Sequence, residues 1–206
     1  MAPSAERLGE FLEVMRQLRT ECSWKREQTH RSLARYLLEE THETLEAIDT
    51  GDVEHLREEL GDLLLQVYFH AVIAEEAGEF TLDDVAGDII AKMRRRNPHV
   101  FPAPGKPLAE AGDAASVNEV WESIKATEKP RDSVLDGLPP GLPALLYADK
   151  VLDRLERGHA DPSLINDGSA SGSRDIGERL LALVAEARET GVDPEQALRD
   201  AVRRRL

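Results

Sequence analysis

The stretch LLEETHETLEAIDTGDVEHLREELGDLLLQ, residues 37–66, predicts two consecutive helices that both carry carboxylates. Gly51 and Asp52 interrupt the helical pattern, because glycine commonly ends a helix and aspartate commonly caps the start of the next one. On each side of this break the carboxylates are spaced three or four positions apart, which places them on one helix face. We therefore predict an antiparallel pair of acidic helices, residues 32–49 and 52–77.

Four of these carboxylates lie within or near the apolar side of their helices. At about 100° per residue, Glu40 falls inside the apolar arc of the first helix and Glu43 lies at its edge. On the second helix Glu59 borders the apolar stripe, and Asp62 lies one step further out. A carboxylate that faces a core is costly unless it is paired or binds a cation, and oxygen-only ligands favour Mg²⁺ or Mn²⁺. A solvated acidic face is the alternative, which this geometry leaves open.

Several motifs of the chain, in order, resemble those of the MazG family of all-α nucleoside triphosphate pyrophosphohydrolases. Two glutamates, a third after a gap of two, and a later Glu-x-x-Asp are similar to the metal motif of that family. The resemblance covers residues 6–160. The motifs that carry it are CSWKREQTH (22–30), YLLEETHE (36–43), EELGDLLLQVYFHA (58–71), KMRRRNPHVF (92–101), VWESIKATEK (120–129) and LDGLPPGLPALL (135–146).

This resemblance implies an all-α, four-helix-bundle-like MazG fold that is completed by dimerisation or higher assembly. It also implies Mg²⁺-dependent hydrolysis of nucleoside triphosphates, ribo or deoxy, to a nucleoside monophosphate and pyrophosphate, with Mn²⁺ as the other candidate ion. The cellular role that it implies is the removal of non-standard or surplus nucleotides.

The resemblance further implies a site made of metal ligands, carboxylates that position or activate water, and groups that hold the nucleotide. In the last of these groups, Lys92 and Arg96 are four residues apart, as are Trp121 and Lys125, so each pair can share one face of a helix. Basic helix ends and packed tryptophans also occur without a ligand. The metal ligands implied are Glu40, Glu43, Glu59 and Asp62, the catalytic carboxylates are Glu39 and Glu58, and the nucleotide-binding residues are Trp24, Lys92, Arg96, Trp121 and Lys125.

The loop predicted for residues 21–31 departs from the family pattern. The family usually has proline after the cysteine and often aspartate after the tryptophan, whereas this chain has Ser23 and Lys25. The base contact implied for Trp24 therefore depends on the tryptophan alone, and an aromatic ring at this place could equally anchor the loop.

Three further helices are predicted around the acidic pair. Apolar periodicity predicts the first over residues 6–20. Thr81 and Asp84 resemble a capping box that opens a helix extending to Arg96, with Leu82, Val85, Ile89 and Met93 as its buried face. Ser116 and Glu119 resemble a second capping box, for a short helix that ends near Thr127.

We predict four segments along the chain. Residues 1–130 form the catalytic domain, and residues 131–165 resemble the connection that starts a second repeat in longer family members. Residues 166–173, NDGSASGS, have the composition of a flexible linker. Residues 174–206 resemble the last helices of a degenerate second repeat. Asp175 and Glu178 stand there in place of the metal motif, so we assign no second active site.

The composition limits the classes of partner. The chain has 206 residues, a formal net charge of −14 and one cysteine. An acidic surface argues against general nucleic-acid binding, because such binding depends on cationic contacts to phosphates. One cysteine cannot form an internal disulfide, and no signal peptide or membrane span is apparent. We therefore expect a cytoplasmic homodimer or higher oligomer that binds small nucleotides and neither membranes nor nucleic acids.

The sequence leaves two alternatives to this enzyme. A catalytically idle bundle that binds a nucleotide or a protein partner is disfavoured by the intact acidic motif, but the decayed second repeat favours it. A di-iron bundle would use Glu39-x-x-His42 as its Glu-x-x-His element. His42 falls opposite the apolar arc of its helix, toward solvent, which argues against iron.

Overall fold

The computed structural model describes residues 4–102, 105, 112–128, 133–157 and 176–205. In those residues it contains helices and turns but no strand, which confirms the prediction of an all-α fold. The chain divides into two compact units, Met1–Lys125 and Ala126–Leu206. The helices are α1 (Ser4–Glu21), α2 (Ser23–Arg26), α3 (His30–Thr50), α4 (Val53–Ala77), α5 (Leu82–Arg96), α6 (Ala114–Glu128), α7 (Ala144–Arg157), α8 (Ile176–Glu189) and α9 (Pro194–Arg203).

Helices α3 and α4 form the predicted acidic hairpin. Gly51 ends α3 in the left-handed conformation, with φ of 72°, and Asp52 caps α4 by accepting bonds from the backbone of Glu54 and His55. The predicted start of α3 at residue 32 is wrong by two positions. Thr29 is the N-cap, because its hydroxyl accepts from the backbone of Ser32 at 3.1 Å. The predicted loop before α3 also contains the short helix α2.

The core of unit 1, residues 1–125, forms where α1, α3 and α4 meet. Its buried members are Met15 of α1, Leu33 of α3, and Tyr68, Phe69 and Val72 of α4. These side chains fix α1 across the hairpin, since buried apolar contacts supply most of the stability of packed helices. The acidic residues therefore stand on a pair of helices whose relative position is held by packing.

Helix α5 begins as predicted, with a reciprocal capping box between Thr81 and Asp84. The prediction of a buried face on α5 is wrong, because Val85, Ile89 and Met93 are all exposed. Of that predicted face only Leu82, at the start of the helix, packs against the core of unit 1. Further along α5, exposed apolar side chains line a groove of about 310 Å³ formed by Ile89, Ile90, Met93, Arg94 and Phe101.

Helix α6 starts earlier than predicted, and a different residue caps it. Asp113 Oδ1 accepts from the backbone of Ser116 at 2.9 Å and from its hydroxyl at 2.6 Å. Asp113 therefore occupies the capping position, and the predicted capping box of Ser116 with Glu119 is wrong. The shift adds residues to the start of α6, which extends over Ala114–Glu128.

Unit 2, residues 126–206, contains α7, α8 and α9. Leu152 and Val184 are its buried apolar residues among those described. Asp193 caps α9 by accepting from the backbone of Gln196, and Pro194 is the first residue of that helix.

The predicted linker, residues 166–173, and Asp175 lie outside the described residues. Glu178 is exposed in the first turn of α8. Among the described residues, no helix combines the length and the apolar character needed to cross a membrane.

Candidate metal and nucleotide site

Three of the four predicted metal ligands come together on the hairpin. Glu40 and Glu43 of α3 and Glu59 of α4 each offer a carboxylate oxygen, and these oxygens all lie within 4.8 Å of one another. The three residues differ in burial: Glu43 is exposed, Glu40 is half-buried and Glu59 is buried. We call this group the carboxylate cluster.

Glu59 is the most enclosed member of the cluster, at 7% exposure. Its Oε1 lies 3.0 Å from Nε2 of His55, one turn earlier on α4. Its Oε2 is buried and has no hydrogen-bond partner. A buried carboxylate oxygen without a partner is costly, and a bound cation removes that cost. This oxygen is the observation that separates the cluster from an ordinary acidic surface.

The electrostatics of Glu40 agree with a site built for a cation. Burial raises the pKa of Glu40, and the nearby charges of Asp62, Glu43 and Glu59 raise it further, together with a hydrogen bond to Glu43. Asp62, the fourth predicted ligand, is thus close enough to act on Glu40, although it lies outside the cluster as defined. The donors are all oxygens, so the set fits a hard ion such as Mg²⁺ or Mn²⁺.

The two predicted catalytic carboxylates flank this arrangement. Glu39 and Glu58 are both exposed, each one position before a member of the cluster. His55 is a neighbour of the site that the sequence analysis missed, and its spacing of four residues before Glu59 could have indicated the contact. His42 is exposed, as predicted in the argument against a di-iron site.

Three of the predicted nucleotide-binding residues meet around one ring. The Cζ atom of Arg96 on α5 lies 4.8 Å from the centre of the Trp121 ring on α6. Nζ of Lys125, one turn further along α6, lies 4.9 Å from the same centre and 3.0 Å from Oε1 of Glu122. Lys92 is half-buried on α5, one turn before Arg96. The face of an aromatic ring carries partial negative charge and attracts cations. Electrostatic attraction as well as van der Waals contact therefore holds these side chains together.

Trp24 belongs to a different group of rings. It is 48% exposed, and its ring meets the ring of Tyr36 edge-on at 6.0 Å between centres. Nζ of Lys25 lies 5.6 Å from the centre of the Trp24 ring. Tyr36 stands one turn before Glu40 on α3, so Trp24 lies against the helix that carries two of the three members of the carboxylate cluster.

Comparisons with known proteins agree with the motifs. Residues 28–101 match the family model described as MazG nucleotide pyrophosphohydrolase domain. A Mycobacterium tuberculosis protein named nucleoside triphosphate pyrophosphohydrolase is 47% identical over 178 residues, 83% of this chain and 52% of that protein. A Thermotoga maritima protein named nucleoside triphosphate pyrophosphohydrolase/pyrophosphatase MazG is 37% identical, over 95% of this chain and 81% of that protein.

A solved structure is also similar to the chain. The crystal structure of a mazG-related protein from Thermotoga maritima has 25% sequence identity and a TM-score of 0.48, and the match covers 58% of this chain and 97% of that one. The chain spans about half the length of the Mycobacterium relative and about four fifths of the Thermotoga relative. The sequence comparisons confirm the resemblance that the motifs indicated.

Proposed function

Because this chain belongs to the MazG nucleotide pyrophosphohydrolase family, we propose that it hydrolyses nucleoside triphosphates to a nucleoside monophosphate and pyrophosphate in a Mg²⁺-dependent reaction. The observation that supports this most strongly is the carboxylate cluster, in which Glu59 keeps a buried oxygen without a hydrogen-bond partner. The similarity to named pyrophosphohydrolases over most of the chain supports the reaction class.

The ion is held in this proposal by Glu40, Glu43 and Glu59, with Asp62 as the fourth carboxylate. When bound, Mg²⁺ would offset the charge of the phosphates, orient them and lower the pKa of the attacking water. Burial raises the pKa of Glu40, and repulsion by the charges of Asp62, Glu43 and Glu59 raises it further. The same negative charges attract a divalent cation, and its binding would relieve the repulsion between them.

The bond that breaks is an anhydride bond between the α and β phosphorus atoms. An oxygen of water forms a bond to the attacked phosphorus, and the bond from that phosphorus to the bridging oxygen breaks. The proton of the water passes to a carboxylate, for which we propose Glu39 or Glu58. Both side chains are exposed, so either can then return the proton to solvent.

The nucleotide is held in this proposal by Lys92, Arg96 and Lys125 at its phosphates and by Trp121 and Trp24 at its base. Arg96 and Lys125 lie over the Trp121 ring. Phosphates that attract these two cations would draw them from the ring, and its face would then be free for a base. Binding of the phosphates and binding of the base would therefore reinforce each other.

Product analysis tests the proposed reaction. The protein is mixed with each NTP, each dNTP, ITP and dUTP, in Mg²⁺ and in chelator, and the products are separated by ion-exchange chromatography. We expect monophosphate and pyrophosphate in Mg²⁺ only. Glu59→Gln is expected to abolish turnover. Glu54→Gln, an exposed carboxylate on the same helix outside the cluster, serves as the matched control and is expected to leave turnover unchanged.

Other products would contradict the proposal in specific ways. Diphosphate and phosphate would mean that a different anhydride bond is broken. Nucleotide binding without turnover in either Mg²⁺ or Mn²⁺ would favour the idle nucleotide- or partner-binding bundle. Full turnover by Glu59→Gln would refute the ligand assignment while leaving the reaction class intact.

The proposal includes a homodimer that covers α5. The exposed apolar side chains around the groove, Ile89, Ile90, Met93 and Phe101, support an interface there, because apolar side chains that cluster at a surface can be buried by a second copy. Sedimentation velocity measures the assembly. We expect Ile89→Glu to convert dimers to monomers, and Val53→Glu, a change at an exposed apolar residue on α4, to leave them intact.

The proposed role is the removal of non-standard or surplus nucleotides in the cytoplasm. A single cysteine suits a reducing compartment, where disulfides rarely form. If non-standard bases are the physiological substrates, ITP or dUTP should be hydrolysed faster than the standard nucleotides in the product analysis. Faster hydrolysis of a standard nucleotide would instead favour control of a surplus pool.

A further inference from the structure

Arg19, in the last turn of α1, joins three parts of unit 1 through one guanidinium. Its side chain is 8% exposed. Nε donates to Oε1 of Glu76 on α4 at 2.9 Å, and Nη2 donates to Oε2 of the same carboxylate at 2.5 Å. Nη1 donates to the backbone carbonyls of Lys25 and Gln28, the latter at 3.0 Å. Arg19 therefore ties the segment of residues 22–29, which we call the Trp24 turn, to both α1 and α4.

The same contacts continue from Arg19 to the Trp24 ring. Gln28, whose carbonyl accepts from Arg19, donates from Nε2 to the carbonyl of Trp24 at 3.0 Å. Its Oε1 accepts from the hydroxyl of Ser32 at 2.7 Å, on the first turn of α3. The ring of Trp24 meets Tyr36 of α3. An unbroken series of contacts thus leads from a buried arginine to an exposed ring beside the acidic helix.

The number and geometry of these bonds require arginine. A guanidinium presents five N–H donors in a planar fork, so it can bind a carboxylate with one edge and two carbonyls with another. A lysine ammonium can pair with Glu76, but it cannot span the carboxylate and both carbonyls. The carbonyl of Gln28 would lose this donor, and that of Lys25 would keep the backbone N–H of Gln28 at 3.2 Å, so the Trp24 turn would lose its link to α1 and α4.

We propose that Arg19 is a positioning residue for nucleotide binding, because it fixes the Trp24 turn in the orientation in which Trp24 meets the base. This inference rests on the proposed function, in which Trp24 contacts the base. The contacts of Arg19 among the described residues do not include the carboxylate cluster. Arg19 therefore acts on nucleotide affinity and leaves the bond-breaking step unchanged.

Arg16 offers a matched control on the same helix. It pairs with Glu75 of α4 in the same two-pronged way, Nε to Oε2 at 3.1 Å and Nη2 to Oε1 at 2.6 Å. Its other described partner is Glu13 on its own helix, at 2.5 Å, and not the backbone of the Trp24 turn. Arg16→Lys and Arg19→Lys thus each weaken a two-pronged link between α1 and α4, at a side chain that is 40% exposed in Arg16 and 8% exposed in Arg19, and only the second releases the turn.

The first measurement reports on the turn without any nucleotide. The chain has two tryptophans, so Trp24 is the only one in a Trp121→Phe background. In that background we expect Arg19→Lys to increase acrylamide quenching of Trp24 fluorescence and to lower its residual anisotropy. Arg16→Lys is expected to leave both values as they are in the parent.

The second measurement separates binding from chemistry in the chain that keeps Trp121. For the nucleotide that is hydrolysed fastest, we expect Arg19→Lys to raise KM about tenfold with kcat within about twofold of the parent, the signature of lost binding that is equal in ground and transition states. Arg16→Lys is expected to change neither constant. Thermal denaturation of both variants checks that the folded fraction is the same.

The outcomes distinguish this inference from the proposed function. An unchanged Trp24 signal in Arg19→Lys, or an equal fall in kcat and kcat/KM, overturns the inference alone. If Arg19→Lys makes Trp24 mobile but the parent protein neither hydrolyses nor binds any nucleotide, both the inference and the proposed function are overturned. If Arg19→Lys does not fold, Gln28→Met provides the test, because it removes the donor to the Trp24 carbonyl and keeps Arg19. It is expected to reproduce the mobility of Trp24 and the rise in KM, and failure to do so overturns the inference.

Discussion

At the scale of single residues, Glu40 combines two costs, since it is half-buried and lies among like charges. Its pKa is raised above the ordinary value of 4.5, first by burial and then by the charges of Asp62, Glu43 and Glu59. The folded state therefore binds a proton more tightly than the unfolded state. This tighter binding of the proton by Glu40 stabilises the folded state below pH 4.5, and the stabilisation is lost as the pH rises through the raised pKa.

Removing this charge should therefore stabilise the metal-free protein. We expect Glu40→Gln to raise the melting temperature in chelator at pH 7, to change it little at pH 4, and to abolish both turnover and the rise in melting temperature that Mg²⁺ causes. Thermal denaturation at the two pH values measures this, with Glu54→Gln as the control. A variant that is less stable than the parent in chelator at pH 7 would contradict this account of Glu40.

His70 shows the opposite direction of shift. Burial lowers its pKa below 6.5, and the charge of His30 lowers it further. The two Nδ1 atoms are 2.7 Å apart, so one hydrogen lies between them, and two protonated rings cannot share it. The buried Nε2 of His70 has no hydrogen-bond partner, so an N–H formed there by protonation would have no acceptor.

Because the folded pKa of His70 is depressed, its contribution to stability is present above pH 6.5 and is lost as the pH falls below that value. We expect His70→Gln to reduce the loss of unfolding free energy between pH 7.5 and 5.5. Urea denaturation at both values measures it. His42→Gln, at an exposed histidine, should keep the pH dependence of the parent. An unchanged slope in His70→Gln would refute the role of the pair.

At the scale of elements, the same substitution should have opposite effects at two glycines. Gly51 ends α3 with φ of 72°, and Gly87 lies inside α5 without a positive φ. A Cβ atom would meet nothing within 4 Å at either place, so the backbone conformation alone determines how each substitution changes stability. We expect Gly51→Ala to destabilise by about 1 kcal/mol and Gly87→Ala to stabilise by about 0.5–1 kcal/mol. Urea denaturation compares the two, and effects of equal sign would refute this reading of the hairpin turn.

The elements also show where sequence signals suffice. Gly51 with Asp52 and Thr81 with Asp84 are local signals, and the structure uses each as predicted. Ser32 and Ser116 mislead, because each stands three positions inside its helix and bonds to the true cap, Thr29 or Asp113. A serine that caps a helix and a serine that supports the cap look alike when only the sequence is read.

The exposed face of α5 marks a different limit. The apolar periodicity of Val85, Ile89 and Met93 is that of a buried face, yet all three are exposed. Periodicity predicts which side of a helix avoids water, but it does not say whether the same chain covers that side. Such a face is informative about assembly for this reason.

At the scale of the whole molecule, the two units depend on different interactions. Arg188 of α8 has a side chain that is 16% exposed, and it pairs with Asp149 at 2.6 Å and Glu156 at 2.7 Å on α7. We expect Arg188→Met to destabilise unit 2 by about 2 kcal/mol, because it removes the guanidinium that pairs with the partly buried carboxylate of Asp149 and with Glu156. Calorimetry with and without Mg²⁺ measures this.

The control for Arg188 is Arg179→Met, an exposed arginine of the same helix. It should leave the stability of unit 2 unchanged. The stabilisation by Mg²⁺ should survive in both variants, since the carboxylate cluster lies in unit 1. Loss of the Mg²⁺ effect in Arg188→Met would show that the two units are coupled.

Distance along the chain decides which parts of the site could be predicted. Spacing within single helices placed Glu40, Glu43 and Glu59 on converging faces, because each relation is local and the turn between the helices is short. The bond from Arg19 to Glu76 joins residues that are 57 positions apart, and no periodicity encodes it. The contact of Arg96 with Trp121 likewise depends on how α5 and α6 meet.

The short connection of the hairpin has a kinetic consequence. Only Gly51 and Asp52 separate α3 from α4, so the carboxylate cluster forms by closing a small loop, which costs little chain entropy and is fast. Contacts of this kind are commonly present in the folding transition state. An ion bound there would then accelerate folding and leave the unfolding rate nearly unchanged. In a chevron plot, Mg²⁺ should therefore move the refolding limb alone.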